Sequence, residues 1–274
     1  MKKNTNTIKI YFYKKMYSVI IPSLGRINFL NELLESIYKQ SLPPNEIIIL
    51  LDNNNSCKEG AKFINKKDIC KVIFCNTLNL SQKRNYGALI SKSKYLFFSD
   101  DDDIWELNKG ELSIKSLKNS QVVCHEYSKF GMLNKKPKFL IGKEKKYIKL
   151  IYLLFGSNIF GGGSAIATLK EIVLAIPFNE KYIFCEDYDW WIRIILAEIK
   201  IKYLPVSLVK YRVHNKNMTS NILKIFNYNI KIFNKILYKS VILFLTFFIG
   251  FLRSFLSFLI KSIKLILLKL INYQ

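Results

Sequence analysis

A chain of 274 residues, half of them hydrophobic, can bury a sizeable core, which argues against a wholly disordered protein and allows one large domain with an appendage. A formal charge of +23 points to an anionic partner such as a membrane surface or nucleic acid, although the abundant Lys, Ile, Asn, Phe and Tyr are also what an AT-rich coding sequence produces. Five scattered cysteines (Cys57, Cys70, Cys75, Cys124, Cys185) without a CxxC pair support neither a zinc knuckle nor a disulfide framework, and fit free thiols in a reducing cytoplasm.

Residues 1–15 are basic and lack the apolar centre of a secretory signal, so they read as an N-terminal extension, with Met16 a second candidate start. Tyr17 to Pro22 (YSVIIP) is an apolar run closed by Pro, Ser and Gly, the pattern of a buried strand entering a loop. Phe29, Leu30, Leu33, Leu34 and Ile37 have helical spacing over Asn28 to Gln40, and Pro43 and Pro44 end that helix. Glu46 to Leu51 is a second strand, Lys71 to Cys75 a third, Gln82 to Ser91 a second helix, and Tyr95 to Ser99 a fourth strand. Beyond about residue 120 the pattern blurs. Asn134 to Lys146 reads as an exposed lysine-rich loop, Gly161-Gly162-Gly163-Ser164 as a turn, Glu186 to Ala197 as a helix opened by acids, and Ile201 to Tyr211 as a further strand. The glycines are not a P-loop, because no Lys-Ser or Lys-Thr follows them.

Strands and helices alternating through short connections indicate an α/β fold with a parallel, doubly wound sheet, whose ligands sit at the carboxyl ends of the strands. Ser23 to Arg26, Asp52 to Asn55 and Asp100 to Asp103 all follow strands, so the fold is expected to gather them at one edge. In an extended chain Asp100 and Asp102 present two carboxylates to one side, and a hard divalent cation, Mg²⁺ or Mn²⁺, takes one or two carboxylates plus substrate phosphates. Asp103 has a structural alternative, a capping box with Glu106. For the whole run the blander alternative is a solvated acidic turn.

Taken in order, these motifs resemble the family 2 glycosyltransferases of GT-A fold. The residues that carry the likeness are Ser18-Val19-Ile20-Ile21-Pro22-Ser23, the strand-end Asp52-Asn53, Arg84-Asn85-Tyr86-Gly87, the aspartates 100–103, Glu186-Asp187-Tyr188-Asp189-Trp190-Trp191 and Tyr211-Arg212-Val213-His214. The resemblance spans about residues 17 to 220. It implies a mixed GT-A sheet flanked by helices and an inverting, metal-dependent transfer from a nucleotide-sugar donor. Donor-nucleotide contacts would come from Pro22, Ser23, Arg26 and Arg84, with Asp52 and Asn53 at the base and Asp100 and Arg212 at the diphosphate. Asp100, Asp102 and His214 would ligate the metal, and Glu186, Trp190 and Trp191 would meet the acceptor. Asn53 stands where the family often has a second aspartate; its amide oxygen still accepts from a uracil N–H. Leu24-Gly25 replaces the usual aromatic and Asn of the first loop.

Asp187 is the expected general base, kept ionised by its place at a helix N-terminus. The competing reading is that Glu186, Asp187 and Asp189 merely open a helix, with Asp189 and Arg193 paired at i,i+4. Trp190 and Trp191 suit a sugar-stacking floor or, equally, core packing. His214 in a basic loop suits metal ligation or simple solvent exposure.

The last quarter differs in kind. From Ile201 to Gln274 there are twelve Lys or Arg and no Asp or Glu. Val241 to Leu252 carries no charge but is too short to span a bilayer before Arg253. Lys235, Lys239, Thr246, Gly250, Arg253, Ser257, Lys261 and Lys264 share a sector of about 80° on a helical wheel, as in a helix lying in the headgroup layer. The alternatives are packing on the catalytic domain or a second subunit, and a genuine span; Gly250 is a candidate break. The chain is thus expected to comprise an extension (1–15), a GT-A domain (16–220) and an amphipathic membrane-association tail (221–274). Expected partners are a nucleotide-sugar donor, a glycan or lipid-linked glycan acceptor and an anionic membrane surface, with no nucleic acid. The expected place is the cytoplasmic face of a bacterial inner membrane, in polysaccharide, lipopolysaccharide or capsule synthesis. A sugar-nucleotidyltransferase and a non-enzymatic basic membrane-binding or nucleic-acid-binding protein are the rivals.

Overall fold

The computed structural model describes residues 17–132, 160–215, 217–218, 221–237, 248 and 250–260. The N-terminal extension, the lysine-rich loop at 134–146 and most of the tail stretch 238–249 and 261–274 lie outside them. The chain divides into two compact units, the first formed by the described residues up to His214 and the second by those from Asn215 onward.

In the first unit the apolar runs become strands β1 (Tyr17–Ser23), β2 (Glu46–Asp52), β3 (Cys70–Cys75) and β4 (Tyr95–Phe98). Leu30, Leu33, Leu34 and Ile37 give helix α1 (Ile27–Tyr38) one fully buried stripe. α2 (Asn55–Ala61) is capped by the Asn54 side chain, which accepts from Cys57 N–H at 2.8 Å. α3 (Leu80–Ile90) opens with a reciprocal capping box between Asn79 and Gln82. The remaining elements are β5 (Ile104–Trp105), α4 (Lys109–Leu117), β6 (Val122–Gly131), a 3₁₀ turn (Gly163–Ala165), β7 (Ala167–Leu169), α5 (Lys170–Ala175), α6 (Glu186–Leu196) and β8 (Ile201–Val213).

Among the described residues these strands form one eight-stranded sheet in the order β3-β2-β1-β4-β7-β6-β8-β5. β1 pairs in parallel with β2 and β4, and β2 with β3, as strands joined by helical crossovers do. The sheet then turns mixed. β7 runs antiparallel to both β4 and β6, β6 and β8 are parallel, and β5 is antiparallel to β8. β1 and β2 are covered on both faces, and Tyr17, Phe97 and Trp105 pack at a tilt in the core with centroids 4.3 Å and 5.8 Å apart.

Asp103 and Glu106 form no capping box. β5 intervenes, α4 starts only at Lys109, and Glu106 pairs instead with Lys210 at 3.6 Å.

In the second unit, α7 (Ile222–Leu237) and the helical residues 250–260 meet through Phe226, which lies 6.5 Å from Phe251 and 5.5 Å from Phe258. Leu252, Phe255, Leu256, Leu259 and Ile260 are exposed, and Gly250 is itself helical. No described helix is long and apolar enough to cross a membrane.

Candidate active site

Strand ends and helix starts deliver charged side chains to one edge. β1 runs out into Ser23, Gly25 and Arg26, β2 into Asp52, β4 into Asp100 to Asp103, and β8 into His214. α3 adds Lys83 and Arg84, and the first turn of α6 adds Glu186 and Asp187. Two chains of contacts join most of them. Lys83 Nζ, almost fully buried, binds Asp52 Oδ1 at 2.6 Å and donates to the Ser23 carbonyl at 2.8 Å. The Ser23 hydroxyl donates to Asp101 Oδ2 at 2.5 Å. Arg26 holds Asp101 through Nε at 2.9 Å and through Nη2, and meets Asp102 Oδ2 with Nη1 at 2.6 Å. His214 Nε2 lies 3.0 Å from that same oxygen.

Arg84, the neighbour of Lys83 on α3, reaches the other way. Its guanidinium is fully buried and bridges Asp100 at 2.8 Å and Glu186 at 2.5 Å. A charge so buried survives only when paired on more than one side. Burial works against the cation, and Glu186 and Asp100 outweigh it, so Arg84 stays charged. Glu186 is therefore an internal partner for Arg84 and not a surface group awaiting an acceptor. Gly163 makes room for this bridge: a Cβ there would lie 2.2 Å from Arg84 Nη2.

Asp187 sits beside Glu186, with Oδ1 accepting from the Tyr188 N–H at 2.8 Å. The helix start was expected to keep it ionised. Burial dominates, reinforced by Glu186 and opposed by Arg84, and its pKa is pushed up to about 7. Behind it, Asp189 and Arg193 form the i,i+4 pair at 2.7 Å. Trp190 and Trp191 are fully buried. Their rings pack on Phe178 and Phe160, and Trp190 Nε1 donates to Ile176 O at 2.7 Å. The sugar-stacking floor expected of them is corrected to core packing, because neither ring presents a face to a ligand.

The acidic loop departs from the extended geometry assumed for it. Asp101 and Asp102 form a turn, so Asp100 and Asp102 face different partners and the i,i+2 argument fails. Asp101 is a structural clasp. Asp103 is fully buried and accepts from Arg212 N–H at 3.1 Å; burial, then Asp100 and Asp102, hold its carboxyl well above the usual range. The Gly161 to Ser164 turn buttresses the loop: Asp100 N–H donates to Ser164 Oγ at 2.8 Å, and buried Lys109 donates to Ser164 O at 2.5 Å while lying over Trp105. Arg212 is engaged by Asp102 O at 2.8 Å and Glu32 at 2.5 Å, with Phe29 and Phe130 against its guanidinium. Asn53 is exposed and donates to Asn76 at 2.5 Å, and Pro22 is buried within β1.

The motifs singled out neither Lys83 nor Lys109, and the one signal available was that Lys83 directly precedes Arg84 on the same helix.

The donors fit a hard divalent ion in kind. Asp102 Oδ2 and His214 Nε2 both reach one point, and a cation already stands there: Arg26 Nη1, 2.6 Å from the first and 3.2 Å from the second. Among the described residues no three carboxylate, imidazole or thiol groups are gathered into a ready-made cage. Substrate phosphates would have to complete the shell.

The family model described as Glycosyl transferase family 2 matches residues 18–174. An uncharacterised glycosyltransferase of Methanocaldococcus jannaschii is 28% identical over 211 residues, covering 74% of this chain and 73% of that protein. The Escherichia coli protein WfgD, a UDP-Glc:alpha-D-GlcNAc-diphosphoundecaprenol beta-1,3-glucosyltransferase, is 24% identical over 75% of this chain and 80% of its own. Among solved structures, Staphylococcus aureus TarS 1–349 with UDP-GlcNAc superposes with a TM-score of 0.62 at 19% identity, over 89% of this chain and 73% of that one. The Pyrobaculum calidifontis mannosyltransferase PcManGT, with GDP-Man and Mn²⁺, gives 0.64 at 12% identity, over 91% and 76%. The fold is the GT-A fold of these two enzymes. With more than half its length matched, the chain belongs to glycosyl transferase family 2.

Proposed function

We propose that this glycosyltransferase moves a sugar from a UDP-sugar to a hydroxyl of a lipid-linked surface glycan, inverting the anomeric carbon, with Mg²⁺ or Mn²⁺. The observation that carries the reading is a pair of networks that start from adjacent residues of α3: one runs from Asp52 through Lys83, Ser23, Asp101 and Arg26 to Asp102, the other from Asp100 through Arg84 to Glu186 beside Asp187. UDP-GlcNAc in TarS and the undecaprenyl diphosphate acceptor in the name of WfgD support the donor and acceptor classes.

Asp52, oriented by Lys83, offers an oxygen to the base. Asp102 and His214, with Asp100 nearby, would hold the divalent ion, which when bound stabilises the leaving diphosphate. Asp187 takes the proton of the acceptor hydroxyl as its oxygen bonds to the anomeric carbon; the carbon–oxygen bond to the diphosphate breaks, and its electron pair leaves with the nucleotide. One base and no covalent intermediate give inversion. Arg84 limits the mutual repulsion of Asp100, Glu186 and Asp187. The basic tail with its exposed Leu252, Phe255, Leu256, Leu259 and Ile260 supports peripheral association with an anionic leaflet, at the cytoplasmic face of a bacterial inner membrane.

The test is transfer from a panel of nucleotide sugars to a polyprenyl-diphosphate sugar, with Mn²⁺ or with EDTA. Transfer that needs the metal and disappears in Asp102→Ala and Asp187→Ala supports the reading. Full transfer in EDTA, or in Asp187→Ala, overturns it.

A further inference from the structure

We infer that Arg26 is the resident counter-ion of the cation site: its guanidinium holds the place of the divalent ion and must leave Asp102 and His214 before the ion enters. This rests on the metal reading above.

The guanidinium is planar and rigid, so its three nitrogens hold or leave their partners as one body. Nε and Nη2 grip Asp101, which is fully buried and also takes the Ser23 hydroxyl, while Nη1 projects to Asp102 Oδ2 at 2.6 Å and His214 Nε2 at 3.2 Å. Arg26 side-chain exposure is 27%, and its loop follows Gly25 at φ +88° and the exposed Leu24, so the guanidinium can withdraw without unpacking the core. Arg84, which pairs with Asp100 in the same loop, is fully buried and has no such freedom.

The present contacts are also mutually incompatible. His214 Nε2 is 3.0 Å from Asp102 Oδ2 and 3.2 Å from Arg26 Nη1. A ring nitrogen carries either a proton or a lone pair. With a proton it can donate to Asp102 but then opposes the Arg26 N–H; with a lone pair it can accept from Arg26 but then opposes the carboxylate. A metal ion resolves the conflict, because it takes the lone pairs of both atoms at once. Two consequences follow. Metal binding to the nucleotide-free protein is weakened by the ion pair it must break. A donor diphosphate gives the released guanidinium a new anionic partner, so metal and donor strengthen each other's binding by the same factor.

The experiment measures Mn²⁺ affinity of the full chain by the EPR signal of free Mn²⁺, with and without UDP, and checks folding by thermal melting. Wild type should bind Mn²⁺ weakly alone and about ten-fold or more tightly with UDP. Arg26→Gln, whose amide can still donate to Asp101, should bind Mn²⁺ alone about ten-fold more tightly than wild type and show a smaller UDP effect. Arg26→Lys, which cannot hold Asp101 and Asp102 together, should fall between and decides the matter if the glutamine variant does not fold. Variants that bind Mn²⁺ alone no more tightly than wild type overturn the counter-ion role while leaving the metal reading intact. A wild type that binds no Mn²⁺ even with UDP overturns both.

Discussion

Replacing Asp187 by Asn removes the general base and also relieves a buried charge, so activity and stability should move in opposite directions. The folded-state pKa of Asp187 is raised from 3.8 to about 7. A raised carboxyl contributes stability while protonated; that contribution is complete below about pH 4 and is lost as pH rises through about 7. Each pH unit is worth about 1.4 kcal/mol, so the ceiling is about 4 kcal/mol. The residue keeps some solvent contact although protein atoms crowd the carboxylate, and screening should reduce this to about 2 kcal/mol. Asn keeps the acceptor for the Tyr188 N–H. Guanidinium unfolding in EDTA should therefore show Asp187→Asn more stable than wild type by about 2 kcal/mol at pH 8, with the difference nearly gone at pH 4. Transfer by the wild type should fall as pH drops below about 7, and the variant should be inactive at every pH. A variant no more stable at pH 8, or a gap that does not change with pH, would refute the electrostatic account.

Gly163→Ala should push Arg84 off Asp100, lowering stability by about 2 to 3 kcal/mol and weakening UDP binding, as measured by melting and calorimetry. Lys83→Met should cost about ten-fold in UDP affinity by freeing Asp52, with Mn²⁺ affinity in the absence of nucleotide unchanged. Trp190→Ala should lose about 3 to 5 kcal/mol of stability as a core cavity. Were its ring instead a sugar platform, the acceptor KM would rise with stability intact.

The first half of the fold could be read residue by residue. β1, β2, β4 and α1 each bury an uninterrupted apolar run or a stripe of helical period, and those patterns lie within a few adjacent residues, whereas β3 is only partly buried and α3 buries Ser81, Lys83 and Arg84. β5, α4 and β7 escaped because they are short or weakly periodic, and β7 belongs to the sheet only through its antiparallel partners β4 and β6. The same limit applies to chemistry. That acids crowd the strand ends is plain from Asp52 and the run at 100–103, and the family resemblance marks Asp187. Which acid answers which cation is another matter.

Local order thus carries the strands, the helices and the edge on which charge collects, because side-chain period and burial are properties of neighbouring residues. Folding in three dimensions settles the pairing: Arg26 with Asp101 and Asp102, Arg84 with Asp100 and Glu186, Lys83 with Asp52. These partners lie as far as 102 residues apart in the chain. Burial likewise outweighed the helix end at Asp187 and turned both tryptophans inward, since desolvation depends on everything packed around a group and not on its own stretch of chain.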